Sequence, residues 1–143
     1  MCDVLTYPVR LETNEGKVFA FFPDFPEAFT YGKDQSDALE CAPDCLREAL
    51  AGRIRDNEEI PTPSLVAEDL HAVTAPPSIA AKALVYRAFK STKLSGRRLA
   101  DILDLDEREV RRILDPQKHT RLDRLDQVGR ALGVRLQVVA TTV

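Results

Sequence analysis

The segment TAPPS, Thr74 to Ser78, sets two consecutive prolines between stretches of opposite charge, and no single cooperative sheet or helix can run through it. Residues 1–75 hold 6 Lys and Arg against 15 Asp and Glu, a balance of −9; residues 76–143 hold 14 against 8, a balance of +6. With 143 residues the chain is long enough for two small domains, and the expected division is 1–75 and 76–143. Such asymmetry predicts differently charged partners: an acidic half steers towards a basic protein, a basic half towards nucleic acid. No run approaches the roughly 18 apolar residues of a membrane span and no signal peptide opens the sequence, so a soluble cytoplasmic protein without membrane partners is expected. The three cysteines, Cys2, Cys41 and Cys45, cannot all pair within one chain, and with two histidines they form no zinc pattern. Cys41 and Cys45 read as small hydrophobes on one helix face, with no metal and no cofactor.

In the acidic half, VLTYPVRLE (Val4 to Glu12) and KVFAFFP (Lys17 to Pro23) read as strands joined by a hairpin turn at Asn14, Glu15 and Gly16. Val18, Ala20 and Phe22 point one way and Phe19 and Phe21 the other, which predicts a sheet covered on both faces. AFTYG (Ala28 to Gly32) is a third short strand. Ser36 is the expected N-cap of a helix running to about Arg55, with Leu39, Ala42, Leu46, Ala49, Leu50 and Ile54 on its apolar stripe. Pro43 contradicts that helix, because it deletes a backbone donor at a cost of about 3 kcal/mol in a helix interior. IPTPS (Ile60 to Ser64) is an extended connector to a final strand near 67–73. Between the second and third strands FFPDFPEAFTYG places two prolines and a carboxylate inside the most aromatic stretch of the chain. That pattern predicts a stiff turn in which Pro23 and Pro26 fix φ, Asp24 bonds back to the local backbone, and Phe25 anchors the loop or a partner.

The basic half opens with a helix over about 79–90 that carries Ala83, Val85, Tyr86 and Phe89 on its apolar face. RRLADILDLDEREVRRIL (Arg97 to Leu114) then has the spacing of a helix-turn-helix. Leu99, Ala100 and Leu103 face inward on the first helix, and Val110 and Ile113 on the second. The small Ala100 permits close approach, Leu105 plugs the corner, Asp104 takes the left-handed turn position usual for glycine, and Asp106 caps the second helix. An ordinary helical hairpin with a charged outer face is the competing reading. The outward face of the second helix bears Glu107, Arg108, Arg111 and Arg112. In a major groove, Arg108 and Arg111 match guanine O6 and N7 bidentately and Glu107 can accept from cytosine N4. Arg97, Arg98, Lys118, His119 and Arg121 fit phosphate contacts that set register. TRLDRLDQVGRALG (Thr120 to Gly133) is a further amphipathic helix with Gly133 at its C-terminal cap. VRLQVVA, from Val134, alternates as a strand and needs a partner, either its copy in a second subunit or a sheet of the first domain. A homodimer or higher homo-oligomer would set two reading helices about 34–36 Å apart.

Taken together, YPVRLE, the block KVFAFFPDFPEAFTYGKDQSDALECAPDCLREAL, IPTPS, and the later LADIL, VRRILDP and TRLDRLDQVGRALG resemble the HicB antitoxin family, in its helix-turn-helix-bearing branch. The likeness covers essentially the whole chain, FPDFPEAFTYG is its most specific piece, and Pro43 is a departure from it. The resemblance implies an α+β protein: a partial RNase H-like domain, β-β-β-α-β, followed by a mostly helical DNA-binding domain with a short terminal strand. It further implies that the first domain binds and inhibits a small basic mRNA-cleaving toxin of the HicA type and that the second binds the operator of its own operon. On that basis the toxin face is placed at the proline turn and nearby acids, at Tyr7, Asp24, Phe25, Pro26 and Glu27. The competing reading is a rigid turn that only sets strand register.

RNase H chemistry needs several carboxylates converging from the first strand, the main helix and the fourth strand to hold two metals. The strand interiors here contain none, and Asp3, Glu12, Asp24 and Glu40 are scattered, so no catalytic residue is assigned and the chain reads as a non-enzyme. The alternative function is a stand-alone transcription regulator whose first domain senses a ligand or only dimerises. A metal-dependent nuclease is the third and weakest.

Overall fold

The first hairpin is fixed by two residues. Glu15 (φ 50°) and Gly16 (φ 76°) both lie in the left-handed region, as a two-residue type I′ turn requires, and they join β1 (Thr6–Asn14) to β2 (Lys17–Phe21) with Asn14 opposite Lys17. The computed structural model describes residues 3–143. β3 (Phe29–Gly32) pairs antiparallel with β2, and β4 (His71–Thr74) pairs antiparallel with the other side of β1. The sheet order is therefore β3-β2-β1-β4, and the Thr6 and Thr74 hydroxyls meet at 2.8 Å across its last pair. Leu5, Tyr7, Val9, Val18, Ala20 and Phe22 are buried on the side where α1 (Gln35–Arg55) packs. Gly32 ends β3 because the first turn of α1 leaves no room for a side chain: a Cβ there would lie 2.4 Å from the Ala38 nitrogen.

Two expectations change here. The cap of α1 is Asp34, not Ser36: its side chain accepts from the Asp37 amide at 2.8 Å, while the Asp37 carboxylate accepts from the Lys33 amide at 2.9 Å. A carboxylate at the N-cap meets both the free amides and the positive end of the helix dipole, which a serine two residues inward cannot do. Among the described residues of the first unit, the sheet is also covered on one face only. Phe29 and Tyr31 remain 57% and 52% exposed on the side away from α1, with Phe19 and Phe21 half-buried between them.

Pro43 does not break α1, which runs unbroken as a helix through it. The buried stripe Ala38, Ala42, Leu46, Ala49, Leu50 and Ile54 flanks the proline on both sides, so packing holds the helix across the missing amide.

The chain divides into two compact units, the first ending at Ala80 and the second spanning Ala81–Val143, so the division falls inside α2 (Pro77–Thr92) rather than before Pro76. In the second unit, α3 (Gly96–Leu103) starts at Ser95, whose hydroxyl accepts from the Arg98 amide, and stops at Asp104 in a left-handed conformation, φ 55° and ψ 47°. The Leu105 amide then bonds back to the Ala100 carbonyl at 2.9 Å, and Asp106 caps α4 (Glu107–Leu114) by accepting from the Arg108 amide at 2.8 Å. Val85, Leu99, Ala100, Val110, Ile113, Leu125 and Val128 form one core beneath α3, α4 and α5 (Leu122–Ala131). Gly133 follows α5 at φ 89°.

The strand expected from Val134 is absent. The Val134 amide bonds to the Gly129 carbonyl and the Leu136 amide to Asp126 Oδ1, after which the chain continues without a regular element, with Val138 and Val139 exposed. Alternation makes a strand only where a second strand supplies the other half of the hydrogen bonds, and the second unit offers none among its described residues.

Replacing Pro43 by Ala restores one donor to α1 and should raise stability by about 1–3 kcal/mol, read as a higher urea midpoint by circular dichroism. An unchanged midpoint would mean the Leu39 carbonyl already has another donor.

Candidate functional site

The proline turn is held from inside. The Phe25 ring is fully buried, edge-on to Tyr7 with centroids 4.9 Å apart, and the Arg53 guanidinium lies 5.3 Å over it. The same guanidinium donates to both Glu27 oxygens, at 2.7 and 2.9 Å, and to the Glu59 carbonyl at 3.3 Å. Asp24 accepts from the Ser64 amide at 2.8 Å and from its hydroxyl at 2.6 Å, and the Tyr7 hydroxyl donates to the Pro61 carbonyl at 2.7 Å. The turn is thus tied to the connector between α1 and β4 through Asp24 and to α1 through Glu27, while Tyr7 of β1 and Arg53 of α1 also bond to that connector. The side chains of Asp24 and Glu27 find their partners 40 and 26 residues away, in Ser64 and Arg53, where a bond to the adjacent backbone was expected from Asp24.

This geometry re-sorts the residues placed on the partner face. Tyr7 and Phe25 are interior and shape the turn; they are not surface contacts in the free chain. Pro26 and Glu27 are exposed and Asp24 is half-buried, so these three reach solvent. The hydrogen bonds from Arg53 hold the Glu27 carboxyl below its usual value, and Glu27 in turn pushes Arg53 up.

Beside the turn lies a surface that the sequence alone did not predict. Phe21 and Phe29 are opposite each other in register where the turn leaves the sheet, and Phe19 and Tyr31 are the next pair. The four rings stack side by side with centroids 5.7–6.2 Å apart. Arg10 covers Phe21 at 5.3 Å and Lys17 covers Tyr31 at 4.8 Å, while Arg10 also pairs with Glu12. The signal was present in the sequence as aromatics at every second position of VFAF and FTY, outward in phase.

In the second unit Arg97, Arg98, Glu107, Arg108, Arg111, Arg112, Lys118, His119 and Arg121 are all exposed. Val110 and Ile113 turn inward, which leaves the arginines of α4 on its outer side. Arg124 of α5 reaches Glu109 at 3.3 Å and so ties α5 to α4. Lys82 is the buried charged residue of this unit: its ammonium donates to the carbonyl oxygens of Asp115 and Lys118, and burial pulls its pKa down against the favourable charge of Asp115. Among the described residues no three His, Cys, Asp or Glu side chains gather as a metal site would require, and no helix is long and apolar enough to cross a membrane.

A family model described as HicB-like antitoxin of bacterial toxin-antitoxin system matches residues 6–84, more than half of the chain. The chain belongs to the HicB antitoxin family. Similarity to individual HicB proteins extends through both units. Antitoxin HicB 1 of Photorhabdus laumondii is 41% identical over 133 residues, covering 92% of this chain and 84% of that protein. Antitoxin HicB of Escherichia coli K12 is 33% identical over 136 residues, covering 94% and 99%. Antitoxin HicB 2 of the same Photorhabdus is 38% identical over 140 residues, 98% of this chain and 99% of its own length.

The Glu27–Arg53 pair gives a pH dependence with a definite sign. A carboxyl depressed in the folded state stabilises the fold above its unfolded value, near 4.5, and that contribution is lost as pH falls through the folded value. Glu27→Gln should therefore cost about 0.5–1 kcal/mol at neutral pH, the range for a half-exposed pair screened by solvent, and flatten the decline of melting temperature below pH 4.5.

Proposed function

We propose that this chain is the antitoxin of a toxin–antitoxin pair, neutralising a small basic mRNA-cleaving toxin of the HicA type with its first unit and repressing its own operon with its second. The observation that carries the reading is that proteins named Antitoxin HicB align across both units, over 92–98% of the chain. In the first unit, the β-β-β-α-β order fits a partial RNase H-like domain, and the excess of acids in residues 1–75 steers a basic partner towards it. The toxin docks on the exposed side of the turn, Asp24, Pro26 and Glu27, and on the aromatic rows that flank it. Phe29 and Tyr31 are the large exposed anchors that protein interfaces use.

The second unit acts as a helix-turn-helix. Asp104 in the left-handed turn and Leu105 below it join α3 to α4 as that motif requires, and α4 presents Glu107, Arg108, Arg111 and Arg112 to base edges. Arg97, Arg98, Lys118, His119 and Arg121 take phosphates. The protein works in the cytoplasm as a homodimer or higher homo-oligomer, with the segment from Val134 available to pair between subunits, and it needs no cofactor and catalyses no reaction.

Co-expression with the short reading frame adjacent to its gene should yield a co-purifying complex in which the toxin is silent. If no such product binds while operator binding persists, the stand-alone regulator replaces this reading. Arg111→Ala should cost about 1–3 kcal/mol of operator binding and relax preference at one base pair, measured by titration against single-substituted operators. Equal weakening on all sequences would reassign Arg111 to a phosphate.

A further inference from the structure

The connector from Asp115 to Arg121 has an unusual support. Asp115 is the C-cap of α4, and the ammonium of Lys82, a residue only 5% exposed, reaches it from α2, so a positive charge sits at the negative end of the α4 dipole. By gripping the Asp115 and Lys118 carbonyls together, Lys82 closes the connector into a tight loop. The loop is completed by the Gln117 amide on Asp115 Oδ1 at 2.9 Å, the Lys118 amide on the Asp115 carbonyl at 3.1 Å, and the Thr120 hydroxyl on the Ile113 carbonyl at 3.3 Å. Burying an ammonium is costly, and an apolar side chain of like volume would fill the same space without that cost. What an apolar side chain cannot do is hold two carbonyls inward, which turns the exposed side chains of Lys118 and His119 outward beside α4.

We propose that Lys82 is a positioning residue for nucleic-acid binding, fixing the connector so that Lys118 and His119 meet backbone phosphates in register with the side chains of α4. This rests on the reading of the second unit as DNA-binding. Lys82 itself touches no nucleic acid; it acts through two peptide carbonyls.

The test is the salt dependence of binding of the full-length protein to a duplex taken from upstream of its own reading frame. Lys82→Met keeps the stem and removes the charge. It should retain helix content and melting temperature, bind about tenfold more weakly at moderate salt, and lower the slope of log K against log salt by about 0.9 for each phosphate that is no longer neutralised. Lys118→Ala with His119→Ala should lower the slope alike, and should cost little more when added to Lys82→Met. A folded Lys82→Met protein with an unchanged slope, or strictly additive effects, overturns the proposal. Should Lys82→Met fail to fold, the Lys118→Ala, His119→Ala protein decides: an unchanged slope leaves no phosphate contact to position and overturns it, a lowered slope supports it. Wild-type protein that shows no salt-dependent binding at all would instead sink the DNA-binding reading.

Discussion

The Arg53 guanidinium is the point at which three otherwise separate parts of the first unit become one. Its flat face covers Phe25, its edge takes both oxygens of Glu27, and its remaining donor reaches the Glu59 carbonyl. A lysine could satisfy one of these demands but not all, since only a planar fork stacks on a ring and binds a carboxylate bidentately. Through this one side chain the helix α1 fixes the turn between β2 and β3 and the connector that must return to β4 at the opposite sheet edge. The two prolines make the arrangement cheap by removing freedom from the turn before any contact forms.

The hairpin at Glu15 and Gly16, the amphipathic stripe of α1 and the left-handed stop at Asp104 were all legible in the sequence because each depends on neighbours within a few positions. The partners of the proline turn were not. Nothing local says that Asp24 will meet Ser64 or that Glu27 will meet Arg53, since those pairings exist only once the sheet and helix have set the distance between them. The outward aromatic rows failed for a different reason: alternation reveals two faces of a strand but not whether a second layer covers the further one. Likewise the terminal valines carry the period of a strand, yet period supplies no partner.

The two units solve a common problem with different cations. Each has a long connector whose backbone polar groups must be satisfied, and in each a largely buried side-chain cation reaches across to peptide carbonyls: Arg53 to Glu59, Lys82 to Asp115 and Lys118. Arginine serves where an aromatic ring and a carboxylate must be held as well. Lysine serves at a helix C-terminus, where a compact charge fits the converging carbonyls. In the second unit the loop so fixed carries Lys118 and His119, both exposed to solvent.

The outward row of rings also gives the molecule an optical property. The chain has no tryptophan and three tyrosines, of which Tyr7 and Tyr86 are interior and Tyr31 stands half in water at the end of that row. Its intrinsic ultraviolet emission is therefore not swamped by indole, and one of only three emitters sits on the surface. Any molecule laid over the sheet would change that emitter's surroundings while the other two stay as an internal reference, so occupancy is written into the protein's own light without a dye.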